Sequence, residues 1–426
     1  MYVADSRATR QTSADGAARP SAGRRRSVVA PAVLALGAVS LVTDVSSEMV
    51  TAVLPLYLVT GLGLSPLGFG LLDGVYNGFS ALVRLVGGHL ADRGGGRHKW
   101  VAGFGYGLSA LCKPLLLVAH SLTPIGLVLA ADRTGKGLRT APRDALISLS
   151  STPQARGRAF GVHRAMDTAG ALLGPLVAFL ILRATVDGYD AVFTVSFCVA
   201  VLGVLVLVLF VPGGRGDRGA GAGAVPGERP TLSAALRLLG RRDLRRITVC
   251  ALLLGLATVS DSFVYLLLQR RLGVPDRWFA LLPLGTAGAF LLLAVPLGRL
   301  ADRVGRWAVF LGGHGALLVA YALLLTSWHG AGLPYVVLAL HGTFYAATDG
   351  VLMAAASEGV PEALRSSGLA LVQTGQAMAR FACSLLFGAA WTVWGDRAAL
   401  SGAAVALVGC AAFALTVRPK GTVTTA

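Results

Sequence analysis

The chain has 426 residues, of which 54% are hydrophobic and only 14% charged, with a mean hydropathy of +0.68. Soluble domains carry about 25% charged residues, so this composition excludes an ordinary soluble enzyme or binding module and indicates an integral membrane protein. A formal net charge of +17 would suit nucleic acid, but the positive residues gather in alternate loops instead of one patch, which argues against that partner.

Residues 1–26, rich in Ser, Ala, Gly and Arg, read as the bulk of a disordered cytoplasmic tail over 1–30. A spanning helix needs about 20 apolar residues. The apolar runs predict helices at 31–59, 66–91, 98–119, 122–148, 158–183 and 189–211, a first six-helix bundle over 31–211. Pro212 to Pro230, loaded with Gly, Ala and Arg, is a flexible linker within a cytoplasmic segment set at 212–245. Thr231 to Arg246 has the makings of a basic amphipathic helix on the inner membrane surface. A second bundle over 246–417 follows, with helices at 246–270, 277–301, 306–327, 333–356, 368–392 and 399–417, and 418–426 is a second cytoplasmic tail. The expected fold is therefore all-α, with about twelve transmembrane helices in two pseudo-symmetric bundles of six.

Basic residues concentrate in the N-terminal tail (Arg19, Arg24, Arg25, Arg26), the 92–99 hairpin, Arg156 and Arg158, the 212–246 segment, the 302–306 hairpin, and Arg418 with Lys420. Loops near 61–65, 120–124 and 329–333 carry none. The positive-inside rule then places both termini and the linker in the cytoplasm, in a multi-pass protein of the cell membrane. Arg270, Arg271 and Arg277 stand against the bias, in a loop expected outside. The five cysteines fall in apolar runs and read as small buried hydrophobes, neither disulfides nor metal ligands.

The halves repeat a charged hairpin. GHLADRGGGRHK, Gly88 to Lys99, returns as GRLADRVGRW, Gly298 to Trp307, each between two long apolar runs. The glycine lets a neighbouring backbone come close, the aspartate can cap a helix or pair, and the basic residues stay in water beside the headgroups. Gly88, Asp92, Arg93 and Arg97 in one copy, and Gly298, Asp302, Arg303 and Arg306 in the other, are thus candidate cytoplasmic gate residues. Leu71-Leu72 aligns with Leu281-Leu282, and Pro153-Gln-Ala roughly with Pro361-Glu-Ala.

Charges inside spanning helices are expensive and by default functional. Asp44 and Glu48 lie one turn apart on the first helix beside Thr43, Ser46 and Ser47, a polar stripe able to carry a proton or to pair with a basic helix. Asp73 and Arg84 on the second helix suit pairing or snorkelling at least as well as a direct role. The fourth helix has the densest cluster: Arg133, Lys136 and Arg139 wind along one face, with Arg143 a further turn on. On the fifth, Asp167 lies deepest beside His163 and Arg164 and is a candidate partner for Arg133 or Lys136. Gly161, Gly170 and Gly174-Pro175 on the same helix offer a smooth packing face and a bend. In the second half Asp261 falls opposite Glu48, His341 near the place of Arg133, and Asp349, Gln373, Gln376 and Arg380 follow. Tyr265 and Tyr345 suit packing or a cavity wall, and Trp391 and Trp394 suit packing or an interface.

These motifs together resemble the Major Facilitator Superfamily. The hairpins are similar to its signature loop between the second and third helices and the fainter copy between the eighth and ninth, with Gly96 and Trp307 standing where a basic residue is usual. Arg133 and Gly137 resemble its fourth-helix motif, whose arginine is associated with proton coupling. Gly161, Gly170, Gly174 and Pro175 resemble its antiporter motif, with Ala178 and Phe179 in place of a terminal glycine pair. The resemblance implies a monomeric transporter working by rocker-switch alternating access, the two hairpins latching the cytoplasmic side. It further implies a small-molecule substrate, protons and the lipid bilayer as partners, and a proton-coupled exporter of the drug-efflux type, with Asp44, Glu48, Arg133, Lys136, Asp167, Asp261 and His341 as coupling or cavity residues. Two alternatives stay open: an importer or exchanger of an anionic solute using the cationic face of the fourth helix, and a non-transporting membrane sensor. No enzyme activity, metal or cofactor is expected. Lys136 in TGKG lacks the glycine spacing and strand of a phosphate-binding loop, and no zincin or nucleophile-elbow pattern stands out.

Overall fold

The computed structural model describes residues 30–93, 98–152, 156–186, 188–212, 240, 242–328, 330, 332–358 and 365–417, without the side chains of 80–82, 84–93, 141, 156–157, 243, 354, 357–358 and 365–371. All regular structure among these residues is helical. In chain order the helices are α1 Pro31–Leu56, α2 Pro66–Arg93, α3 His98–Val118, α4 Leu122–Leu149, α5 Arg156–Ala184 and α6 Gly188–Phe210. Then come α7 Arg242–Leu256, α8 Asp261–Leu272, the single turn α9 Asp276–Phe279, α10 Leu282–Val304, α11 Arg306–Leu325, α12 Leu333–Glu358 and α13 Arg365–Thr416. The tail 1–29, the linker 213–239 and the tail 418–426 lie outside the described residues, as does most of the expected surface helix at 231–246.

Boundaries follow local chemistry. Pro31 opens α1, where its missing N–H would have had no partner in any case. A π-helical turn, Tyr57–Gly61, carries that helix on past Pro55. α13 is long enough to cross a membrane twice, and it turns at Gly395, whose φ of 85° is open to glycine and disfavoured elsewhere. At that turn Arg397 donates to the Leu325 carbonyl, while at the far end the Trp307 indole donates to Ala414 O, so residues 396–416 run back along α11. Nine stretches among the described residues are long and apolar enough to span, and α13 counts as two crossings. The charge-laden α2 and α4 pack between them and complete the twelve.

One expected helix is broken. The apolar pattern predicts continuity over 246–270, but Ala257–Ser260 leave the helix between α7 and α8. The hydroxyl of Tyr321 accepts the freed N–H of Val259 at 2.7 Å. Non-helical backbone at membrane depth survives where protein or a water-filled cavity satisfies it. Here the break brings Thr258, Ser260 and Asp261 to a cavity wall.

Within the first half α1 packs on α5 and α6, α3 on α4 and α6, and α2 on α4; within the second, α12 packs on α10 and α11, and α7 on α13. Across the halves α2 meets α13, and α5 meets α9 and α10. The α2–α13 approach is backbone to backbone: a Cβ on Gly70 would strike the Ser384 carbonyl, and one on Gly388 the Pro66 carbonyl. Small residues of this kind let helices close on each other in lipid. Aromatic rings seal the same end, with Phe263 edge-on to Phe69 at 4.9 Å and to Phe387 at 4.8 Å. Leu67 N–H donates to Thr392 Oγ1 at 2.9 Å. The halves are thus shut at the end bearing loops 62–65 and 273–275.

Two of the three arginines that opposed the charge bias, Arg270 and Arg271, sit at this end and are engaged. Arg271 donates to the carbonyls of Leu323, Leu324 and Thr326 at the C-terminus of α11, where a cation meets the negative end of the helix dipole. Arg270 lies 5.0 Å over the ring of Trp391.

Candidate functional site

Three rungs join α1 to α4. Glu48 faces Lys136 at 3.7 Å, Asp44 faces Arg139 at 3.3 Å, and Ser40 accepts from Arg143 at 3.1 Å. The rungs form because residues four apart on α1 share a face and the cations of α4, running the other way, recur at three- and four-residue steps. At the last rung Asp167 of α5 accepts from Ser40 at 2.8 Å and lies 3.6 Å from Arg143, with Arg164 at 3.9 Å. Asp167 therefore pairs with Arg143, about two turns beyond Lys136 and nearly three beyond Arg133, the partners expected from depth alone. His163, beside it, is buried with neither ring nitrogen hydrogen-bonded.

Arg133 belongs to a second, deeper cluster. Asp132 takes Lys113 of α3 at 2.8 Å and Arg133 at 2.6 Å, all three buried, while Ser109 donates to the Asp132 carbonyl at 3.1 Å. The Arg133 guanidinium lies 3.7 Å over the ring of Tyr76, whose hydroxyl bonds Thr51. Sequence reasoning passed over Asp132 and Lys113. A lone lysine in the apolar run of α3 was the available signal, since a membrane-embedded charge needs a partner.

On the other half, Asp261 at the start of α8 accepts from the Tyr345 hydroxyl, and the Nε2 of His341 lies 3.4 Å away. Arg380 pairs with Asp349 at 3.8 Å and lies 5.9 Å over the Tyr345 ring. Tyr265 bonds Thr286 at 3.0 Å. Among the described residues Asp73 has no basic partner: Ser384 of α13 donates to it at 2.7 Å across the junction of the halves.

A cavity of ≈ 360 Å³ separates the two sets. Its N-terminal wall carries Glu48, Thr51, Tyr76 and Asn77; its C-terminal wall carries Asp261, Tyr265, Thr286, Phe290, Tyr345, Asp349 and Arg380. Gln373 and Gln376, expected alongside Arg380, are not among the lining residues. Of the ladder only Glu48 reaches the cavity, so the arrangement links a solvent-accessible carboxylate to a row of internal ion pairs.

The glycine motif of α5 divides. A Cβ on Gly174 would lie 2.6 Å from Glu48 Cβ, and one on Gly170 would strike the Leu41 carbonyl, whereas Gly161 has open space. Gly170 and Gly174 thus hold α5 against the acidic stripe of α1. Pro175 follows in the helix interior. In the second hairpin Gly305 turns the chain with φ 99°, Asp302 lies 3.6 Å from Arg306, and Arg303 is exposed. Gly298 has no neighbour within 4 Å of a Cβ, so it brings no backbone close in this conformation. Arg97, the side chains of Asp92 and Arg93, and the surroundings of Gly88 lie outside what is described.

Of the cysteines, Cys112, Cys250 and Cys383 are buried, Cys410 is half-buried and Cys198 is exposed on α6; all are free thiols.

Comparison with known proteins agrees with this architecture. An uncharacterised MFS-type transporter of Methanocaldococcus jannaschii is 28% identical over 393 residues, covering 88% of this chain and 92% of that protein. An uncharacterised protein of Mycobacterium tuberculosis is 34% identical over 174 residues, 41% of each chain. Among solved structures, the nucleoside transporter NupG superposes with a TM-score of 0.77 at 14% identity, over 91% of this chain and 98% of that one. A bacterial homologue of the human lysosomal transporter Spinster, inward-facing and unoccupied, gives 0.71 at 17% identity, over 93% and 98%. At such identities these two likenesses carry the fold alone. The profile of the Major Facilitator Superfamily matches residues 36–384, from the first spanning helix to the eleventh, and this chain belongs to that superfamily of membrane transporters.

Proposed function

We propose that this transporter is a proton-coupled exporter of a small solute, working by alternating access as a monomer with both termini in the cytoplasm. The carrying observation is the ladder between α1 and α4, whose first rung, Glu48–Lys136, opens on the central cavity. In this reading a proton arriving from outside neutralises Glu48 or Asp44 and removes its tie to Lys136 or Arg139. α1 is then free to move against α4, and proton loss to the cytoplasm restores the pair. With the charge-poor loops outside, the sealed end is the outer end, so the cavity here opens inward, ready for cytoplasmic cargo. The bundles over 31–211 and 246–417 are the two rocking bodies.

The anion-carrier alternative needs free cations on α4. Lys136, Arg139 and Arg143 each have an acidic or hydroxyl partner, and Arg133 has Asp132, which leaves that face little to offer an anion. The test is flux in proteoliposomes under an imposed pH gradient, with a panel of labelled solutes. Asp44→Asn and Glu48→Gln are expected to abolish gradient-driven flux while the protein remains folded. Unchanged coupling in both would remove the ladder from the mechanism, and flux of anions alone would favour the alternative.

A further inference from the structure

The charges around the cavity do not cancel. Three carboxylates face it, Glu48, Asp261 and Asp349, against the one guanidinium of Arg380. Glu48 is matched by Lys136 at 3.7 Å and Asp349 by Arg380 at 3.8 Å. Among the described residues no lysine or arginine comes within ion-pair distance of Asp261; Arg380, held by Asp349, acts on it only from farther away. It is held by the Tyr345 hydroxyl and backed by His341, which is fully buried with neither ring nitrogen hydrogen-bonded and its Nε2 3.4 Å from the carboxylate. The side chain of Asp261 is 39% exposed, and the space it faces is the cavity. Tyr76, Tyr265, Phe290 and Tyr345 supply aromatic walls around it.

We propose that the cavity takes organic monocations with an aromatic or apolar body, their positive centre lodging at Asp261. A carboxylate with no lysine or arginine in contact, in a low-dielectric pocket whose carboxylates outnumber its cations, attracts a cation, and ring faces add cation–π attraction. The Tyr345 hydroxyl fixes the carboxylate and the buried His341 ring backs it, so the charge is presented in one place. An organic anion of the same shape would meet Asp261 and Asp349 with a single arginine already engaged. The proposal deepens the transport reading and rests on it: the α1–α4 ladder handles the proton, and the opposite wall reads the sign of the cargo.

The experiment compares two ions of nearly equal shape and opposite charge, tetraphenylphosphonium and tetraphenylborate, binding to the purified full chain in detergent by equilibrium dialysis. The phosphonium is expected to bind saturably and at least about tenfold more tightly than the borate. Asp261→Asn should weaken it about tenfold or more, Asp261→Glu should keep it within a few-fold, and Asp396→Asn, far from the cavity at the Gly395 turn, should change nothing. Should Asp261→Asn not fold, thiol labelling of Ser262→Cys in the cavity wall serves instead: phosphonium slows it and borate does not. Equal binding of both ions, binding of neither, or undiminished affinity in a folded Asp261→Asn would overturn the assignment. Binding in detergent needs neither gradient nor turnover. The exporter reading can therefore fail in the flux assay while this result stands, and the reverse.

Discussion

Gly174→Ala is the sharpest single test of how α5 holds α1. The new methyl would sit 2.6 Å from Glu48 Cβ, 2.9 Å from Met49 N and 2.9 Å from the Val45 carbonyl, two of them backbone atoms that no rotamer change can move aside. Carbon atoms rest at roughly 3.5–4.0 Å, so the helices must separate by about 1 Å locally. With three contacts under 3.0 Å, overpacking here falls in the upper part of the usual range, about 2–3 kcal/mol. Replacing glycine by alanine inside a helix returns up to about 1 kcal/mol, leaving a net loss of about 1–2 kcal/mol. Thermal unfolding in detergent, followed by tryptophan fluorescence, should drop by roughly 2–8 °C. Gradient-driven flux should fall with it, because the clash falls on the residue that carries the Glu48–Lys136 rung. Gly161→Ala is the internal control. With nothing within 4 Å of its Cβ, it gains helix propensity at no packing cost and should unfold at or above the wild-type temperature. A Gly174→Ala protein as stable and as active as wild type, or a Gly161→Ala protein that melts early, would refute the division of the motif into packed and unpacked glycines.

Asp132→Asn should be among the most damaging changes in the chain. It strips the counter-charge from both Lys113 and Arg133 in a buried cluster, where breaking one pair alone costs about 3–5 kcal/mol. The yield of monodisperse protein after extraction is the measurement, and near-normal yield would mean that water reaches the cluster. Cysteines introduced together at Leu67 and Thr392, in a background without native cysteines, should cross-link under mild oxidation, since the backbone of one residue bonds the side chain of the other. The cross-link should stop flux by locking the sealed end, and reduction should restore it; flux that persists in the oxidised form would show that this end need not open.

Much of the architecture was legible in the residues because its causes are local. Hydropathy sets which runs can lie in lipid, the repeated Leu-Ala-Asp-Arg turn betrays the duplication, and four-residue spacing alone puts Asp44 and Glu48 on one face of α1. Such features need no knowledge of what stands opposite. Partners do need it. Depth within a helix suggested Arg133 or Lys136 for Asp167, but the relative rotation of α1, α4 and α5 delivers Arg143 instead, through Ser40. An apolar run promised an unbroken seventh helix, yet the hydroxyl of Tyr321, distant in the chain, takes up the N–H of Val259 and lets the backbone open toward the cavity. The same holds for the glycines of α5, identical in sequence terms until α1 is seen lying against two of them and not the third. Sequence thus determined that this is a duplicated bundle of spanning helices carrying buried charge. Only the tertiary structure decided which charges cancel and which one, Asp261, is left facing the cavity, because pairing depends on distances across helices that no single helix encodes.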